Sequence, residues 1–111
     1  MQHNPNKLRE DILGAIQEVE GFCLNKTFND LQRERALQLI VERELEIIGE
    51  ALSRLRKDHP ALGNQIRDIH KIIGLRNVLA HGYDVLDNEI LWDIVENKIP
   101  LLKHDVQAIQ V

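Results

Sequence analysis

The chain is poor in the residues that most often announce a function. Its 111 residues include one cysteine, one tryptophan, one tyrosine and two phenylalanines. A single cysteine cannot build an internal disulfide framework, so a reducing, cytoplasmic setting is the expectation. Cys23 itself reads as a small apolar packing residue of the first helix rather than a reactive thiol. No apolar run approaches the length that spans a bilayer, and the polar start Met1-Gln2-His3-Asn4-Pro5 does not resemble a signal peptide, so no membrane is expected as a partner. An excess of basic residues is also missing. Lys and Arg total 14 against 18 Asp and Glu, a net charge of −4. The balance is even: nine against eleven over 1–59 and five against seven over 60–111. Proteins that hold nucleic acid by bulk electrostatics are normally basic. DNA is therefore not expected, and any RNA contact must use a local cluster or a cleft built from two chains. The histidines His3, His59, His70, His81 and His104 lack a convincing ligand spacing, so no metal and no cofactor is expected.

What remains is an ordinary globular composition, 43% apolar and 29% charged, in a length suited to one domain over 1–111. No segment alternates like a half-buried strand, and four segments carry helical spacing. The first follows Asn4, an N-cap, with Pro5 at the first helical position. Its stripe is Leu8, Ile12, Ile16, Val19 and Cys23, and Gly21 with Asn25-Lys26 marks its end. Thr27 to Asp30 reads as a turn or short helical lead-in anchored by Phe28 and Leu31. The second helix is expected from about Asp30 to Lys57, its stripe Leu37, Val41, Ile48, Leu52 and Leu55. Glu50 and Arg54 form an i,i+4 pair on its outer side, and Glu44 falls inside the stripe, where a carboxylate needs a partner or a wet cavity.

The third helix is expected from about Asn64 to Ala80 or His81, with Gly82 as its stop. Ile69, Ile72, Leu75 and Leu79 share one face and Ile66, Ile73 and Ala80 widen it. Only a strip of Arg67, His70, Gly74, Asn77 and His81 is polar, so the helix should be nearly surrounded by protein. Gly74 suggests a close helix approach. Asp87 caps a fourth helix with Ile90, Leu91, Ile94 and Val95 inward, and Pro100 kinks or restarts it before Leu101, Leu102, Val106 and Ile109. The expected architecture is all-α, an antiparallel four-helix bundle.

The chemistry concentrates in Arg76-Asn77-Val78-Leu79-Ala80-His81-Gly82-Tyr83. Arginine's planar fork suits phosphate oxygens, and histidine exchanges protons near neutral pH. Together they could support a metal-free attack of a ribose 2′-OH on the adjacent phosphate. Arg76 falls between Ile69 and Ile72 in angular position, so its stem should be buried, with Glu44 the economical counter-charge. A purely structural Arg76–Glu44 ion pair is one reading. His81 lies about 140° round an ideal helix from Arg76. Either Gly82 ends the helix early and swings His81 round, or two chains present Arg76 and His81 to each other. A helix-end capping role is the plain alternative for His81. His70 either lines the cleft or is a hydrogen-bonded surface histidine. Trp92 is expected in the core or at a subunit contact.

The Arg76, Asn77, His81 and Tyr83 pattern resembles the HEPN ribonucleases and, with the tyrosine, the HepT toxin family. Leu45-Glu46-Ile47-Ile48-Gly49-Glu50-Ala51 and Ile72-Ile73-Gly74-Leu75-Arg76-Asn77 also look like that family's helices, and the likeness covers roughly residues 8 to 109. Glu44 stands where the resembling family often has asparagine. The resemblance implies a HEPN-like bundle in a symmetric homodimer. It implies a metal-independent endoribonuclease toxin acting on transfer or messenger RNA in a shared cleft. His81 would be the general acid or base, Arg76 would hold the scissile phosphate, and Asn77 would orient substrate or imidazole. It further implies that a nucleotidyltransferase antitoxin silences the toxin by attaching AMP to Tyr83. A second reading, which the acidic charge favours, is a non-catalytic helical binding subunit of a nucleotidyltransferase complex.

Overall fold

The computed structural model describes residues 4–81 and 87–109, with side chains described over 4–75 and 87–109. Every regular element among them is helical. α1 spans Pro5–Cys23, with Asn4 accepting from the Asn6 amide and Pro5 at its first position. Leu8, Ile12, Ala15, Ile16 and Val19 are buried along it, and Cys23 is half-buried. Burial in turn pushes the Cys23 thiol pKa up, with the Glu96 charge adding to it, so packing is its role. The helix ends where Asn25 takes a left-handed φ of 62°, a conformation asparagine tolerates.

The expected second helix is two helices. α2 covers Phe28–Arg33 and α3 covers Arg35–Asp58. Thr27 starts α2 with a reciprocal capping box: its hydroxyl accepts from the Asp30 amide at 3.2 Å and its own amide donates to the Asp30 carboxylate at 2.8 Å. The break falls at Glu34, whose backbone is extended, φ −101° and ψ 94°. Lys26 binds both Glu34 carboxylate oxygens at 3.0 and 3.1 Å, while the Gln38 amide donates to Leu31 O at 2.8 Å and covers the end of α2. Side chains, not glycine or proline, make this corner.

α3 is the central rod. It buries Leu37, Val41, Leu45, Ile48, Leu52 and Leu55 and packs on α1 and α5. Each such fully buried aliphatic side chain stabilises the fold by about 1.5–3 kcal/mol. The Glu50–Arg54 pair forms, at 3.0 Å. α4 is a single turn, Pro60–Gly63, so the expected third helix begins later than Asn64. α5 runs Ile69–His81, after Asp68 takes φ 54° and offers its carbonyl to the Lys71 and Ile72 amides.

The last rod is composite. α6 spans Asn88–Asp93 with Asp87 as its cap, a π-helical turn covers Ile94–Lys98, and α7 covers Ile99–Ala108. Pro100 explains the π turn. A proline ring clashes with the carbonyl four residues back and supplies no N–H. Widening the preceding turn, so that the Ile99 amide reaches Ile94 O, lets the rod continue. One contiguous core joins α1, α2, α3, α5, α6 and α7. No helix among the described residues is long and apolar enough to cross a membrane.

Candidate functional site

α5 carries the Arg76–His81 motif, and its position is set at its approach by one clamp. The Arg67 amide donates to Asp105 Oδ2 at 3.1 Å, and its guanidinium holds both carboxylate oxygens, Nε to Oδ2 at 3.0 Å and Nη2 to Oδ1 at 2.9 Å. Asp105 is buried on α7, so the fork ties the residues leading into α5 to the end of α7. Hydrogen bonds from Arg67 hold the Asp105 carboxyl below the usual carboxylate range, against the opposing effect of burial. Arg9 of α1 completes the tie by donating to Val106 O and Gln107 O at 3.1 and 3.0 Å, covering carbonyls at the end of α7.

α5 is helical from Ile69 through His81. Arg76, Asn77 and His81 therefore lie on one continuous helix, and Arg76 and His81 are about 7.5 Å apart along its axis and 140° around it. His81 belongs to the helix, so an early stop at Gly82 does not reposition its backbone. The side chains of Arg76, Asn77 and His81 lie outside the described residues, as does the expected Arg76–Glu44 pair, and Tyr83 lies outside them altogether. His70 is exposed on the first turn, and Gly74 is exposed, with no described neighbour within 4 Å of the place a methyl group on its Cα would take. Among the described residues Gly74 therefore serves no close helix approach. The strip of His70, Gly74, Asn77 and His81 positions begins on open surface.

The burial of the first half of α5 departs from the expectation of a nearly enclosed helix. Ile73 is buried, but Ile69, Ile72 and Leu75 are only half-buried, and among the described residues α3 is the element α5 packs on most. Ile90, expected inward, is 50% exposed, and Leu101 is 47% exposed. They border a groove of about 240 Å³ between α5 and the last rod, floored by Ile72, Leu75 and Ile94. Trp92 is half-buried at the core's edge, in a shallow hollow with Phe28 and the acids Glu89, Asp93 and Glu96.

Glu44 is 8% exposed, and its described neighbour is another acid. Burial raises its pKa, and the charge of Glu18 and a hydrogen bond with that side chain raise it further, with Arg43 opposing. A wider hollow between α1 and α3 is lined by Lys7, Arg43 and Arg54, but Asp11, Glu46 and Glu50 answer each cation, so it offers an anion no excess charge. Among the described residues no three His, Cys, Asp or Glu side chains gather as a metal site. The Arg67–Asp105 clamp was not legible in the sequence: a contact spanning 38 positions leaves no local pattern.

Comparison with known proteins agrees with the motif. A family model described as ribonuclease HepT-like matches residues 12–109. The chain is 34% identical over 100 residues to a provisionally named RNase of Methanocaldococcus jannaschii, covering 90% of this chain and 79% of that protein. It is 31% identical over 99 residues to a second provisionally named RNase of the same organism, covering 89% and 90%. It is 34% identical over 103 residues to a protein of Thermococcus cleftensis named "Probable ribonuclease HepT", covering 93% of each. No solved structure matches the chain.

Proposed function

We propose, from the premise that the chain belongs to the HepT-like ribonuclease family, that it is a metal-independent endoribonuclease of HEPN type. The observation that carries this reading is the placement of Arg76, Asn77 and His81 on one unbroken helix whose outer strip is open at His70 and Gly74. Arg76 binds the scissile phosphate and stabilises charge on its oxygens; His81 takes the 2′-OH proton or gives one to the leaving 5′-oxygen. Asn77 orients the substrate or the imidazole, and His70 lines the same strip. The products are a 2′,3′-cyclic phosphate and a free 5′-hydroxyl, with no metal or cofactor.

The two catalytic positions diverge by 140° on one helix, so one α5 does not bring both to one phosphate. A symmetric homodimer of four-rod bundles (α1, α3, α5 and the composite α6–α7 rod) solves this by setting Arg76 of one chain against His81 of the other. The protein then acts as the toxin of a toxin–antitoxin pair in the cytoplasm, cutting transfer or messenger RNA. A nucleotidyltransferase antitoxin silences it by attaching AMP to Tyr83, whose added bulk and negative charge close the cleft mouth to RNA.

The test is complementation. Arg76→Ala and His81→Ala chains are each inactive; mixed and refolded together, they regain about a quarter of wild-type cleavage, because half the dimers are heterodimers with one intact site of two. Product ends are read in chelator. Full activity of either single variant refutes the catalytic assignment, and an inactive mixture refutes the shared cleft. The acidic net charge supports a second reading, in which the chain is a non-catalytic helical subunit of a nucleotidyltransferase. Tight binding to that enzyme with no cleavage of any RNA favours it.

A further inference from the structure

We infer that Glu18 of α1 and Glu44 of α3 together hold a hard divalent cation of the Mg2+ kind, which ties the two helices at their seam. The cation is structural and adds no step to the cleavage proposed above.

Three observations meet at this seam. First, Glu44 is 8% exposed, lies within hydrogen-bonding reach of Glu18 and forms no ion pair among the described residues. A buried carboxylate needs an answering charge or a proton, and here its neighbour is a second acid. Second, the local cations are already committed. Lys7 binds Asp11, and Arg43, the described cation that acts on Glu44, turns to Glu46 at 3.9 Å. Third, the pair opens on a hollow of about 250 Å³ whose other walls include Glu10, Asp11 and Gly14. Gly14 leaves the α1 side of that hollow bare, since a methyl group there would meet nothing within 4 Å. Six waters at about 30 Å³ each occupy about 180 Å³, so a hydrated ion fits. The donor set then selects the ion. Among the described residues no third His, Cys, Asp or Glu joins the pair in a metal-binding group. Two carboxylates completed by water suit Mg2+, which keeps several of its waters, whereas softer metals favour nitrogen and sulfur ligands. A divalent ion balances both carboxylates; a single lysine or arginine from another protein would balance one.

The experiment follows thermal unfolding by circular dichroism near neutral pH, in about 10 mM MgCl2 against about 30 mM NaCl, which match in ionic strength. With a dissociation constant of about 1 mM, mass action and the unfolding entropy of a chain this size raise the wild-type midpoint by about 6 °C. Glu18→Gln and Glu44→Gln each stay folded in chelator and lose most of that rise. Glu89→Gln, which removes an exposed acid on α6, keeps all of it. Titration with Mn2+, read by electron paramagnetic resonance, gives one site per chain in the wild type and in Glu89→Gln, and a loss of affinity of about tenfold or more in the two pair variants. An equal rise in all four proteins, or the same rise in NaCl, is general screening and overturns the site. No rise and no Mn2+ site in the wild type also overturns it, the pair then being closed by a shared proton alone. A site that appears only in Arg76→Ala overturns it too, because the answering charge is then the chain's own.

Discussion

Asp105→Asn isolates the contact that positions α5. The wild-type carboxylate is 9% exposed and accepts three hydrogen bonds from Arg67, at 3.1, 3.0 and 2.9 Å. Asparagine keeps the shape and can still accept from the amide, but it loses the charge and turns an NH2 group toward a guanidinium. Hydrogen bonds to a charged group contribute about 1.5–3 kcal/mol net, and screening at the solvent-facing guanidinium lowers the total for this fork to about 2 kcal/mol. Unfolding entropy near 2.1 cal/mol/K per residue then implies a melting temperature lower by about 9 °C. The pH dependence is the sharper check. Hydrogen bonding depresses the Asp105 pKa in the folded state, so its contribution is complete above the unfolded value, about 3.9, and is lost as pH falls through the folded one. Urea unfolding of both proteins should show a gap that is constant from about pH 7 to pH 5 and closes in stronger acid. A difference under about 0.5 kcal/mol at neutral pH, or one that persists undiminished in acid, refutes the argument that this carboxylate anchors α5.

Glu44→Gln should stabilise the protein by about 1 kcal/mol at pH 7, because a carboxyl with a raised folded pKa favours the native state only while protonated, below its unfolded value, and that support is lost as pH rises through the folded one. A loss of stability at pH 7 means instead that Arg76 lies against Glu44 as a buried ion pair. Thr27→Ala removes half of the capping box and should cost about 1 kcal/mol in chemical denaturation, with no change in RNA cleavage. Gly74→Ala meets open space and should raise stability by about 0.5–1 kcal/mol, whereas Gly63→Ala puts a methyl 3.0 Å from Arg56 Cα and should lower it; equal effects contradict the packing described. RNA binding through a few cations at a cleft should fall shallowly with salt, a log–log slope of about −2 to −3 for three or four phosphate contacts; a slope steeper than about −5 points to a broad basic surface elsewhere.

The helical content was legible because apolar spacing, N-caps and proline positions agree with one another. Leu8, Ile12, Ile16 and Val19 are buried as their four- and three-residue intervals predict, and Asn4 and Asp87 cap the helices they precede. The break at Glu34 was not legible, because it is made by Lys26 and Gln38 reaching from eight and four residues away rather than by a local turn signal. The π turn was half-legible. Pro100 announces a disturbance, but whether the helix kinks or widens depends on how Ile99 and Ile94 are buried. Of the candidate site, the motif and its helix were readable, as was the angular divergence of Arg76 and His81. The anchoring by Asp105 was not.

Ile72, Leu75 and Ile90 depart from the expected burial together. Helical spacing assigns these three to a buried face, and all three line one groove of the chain, with the exposed Leu101 beside them. Periodicity reports which surfaces avoid water; it does not distinguish a surface covered by its own chain from one covered by another, since both are selected by the same transfer free energy. Independent errors would leave apolar residues exposed singly on unrelated faces, as Leu39 is on α3. Three on one groove, on the helix that carries the Arg76 and His81 positions and on the rod facing it, are what the homodimer put forward under Proposed function would cover.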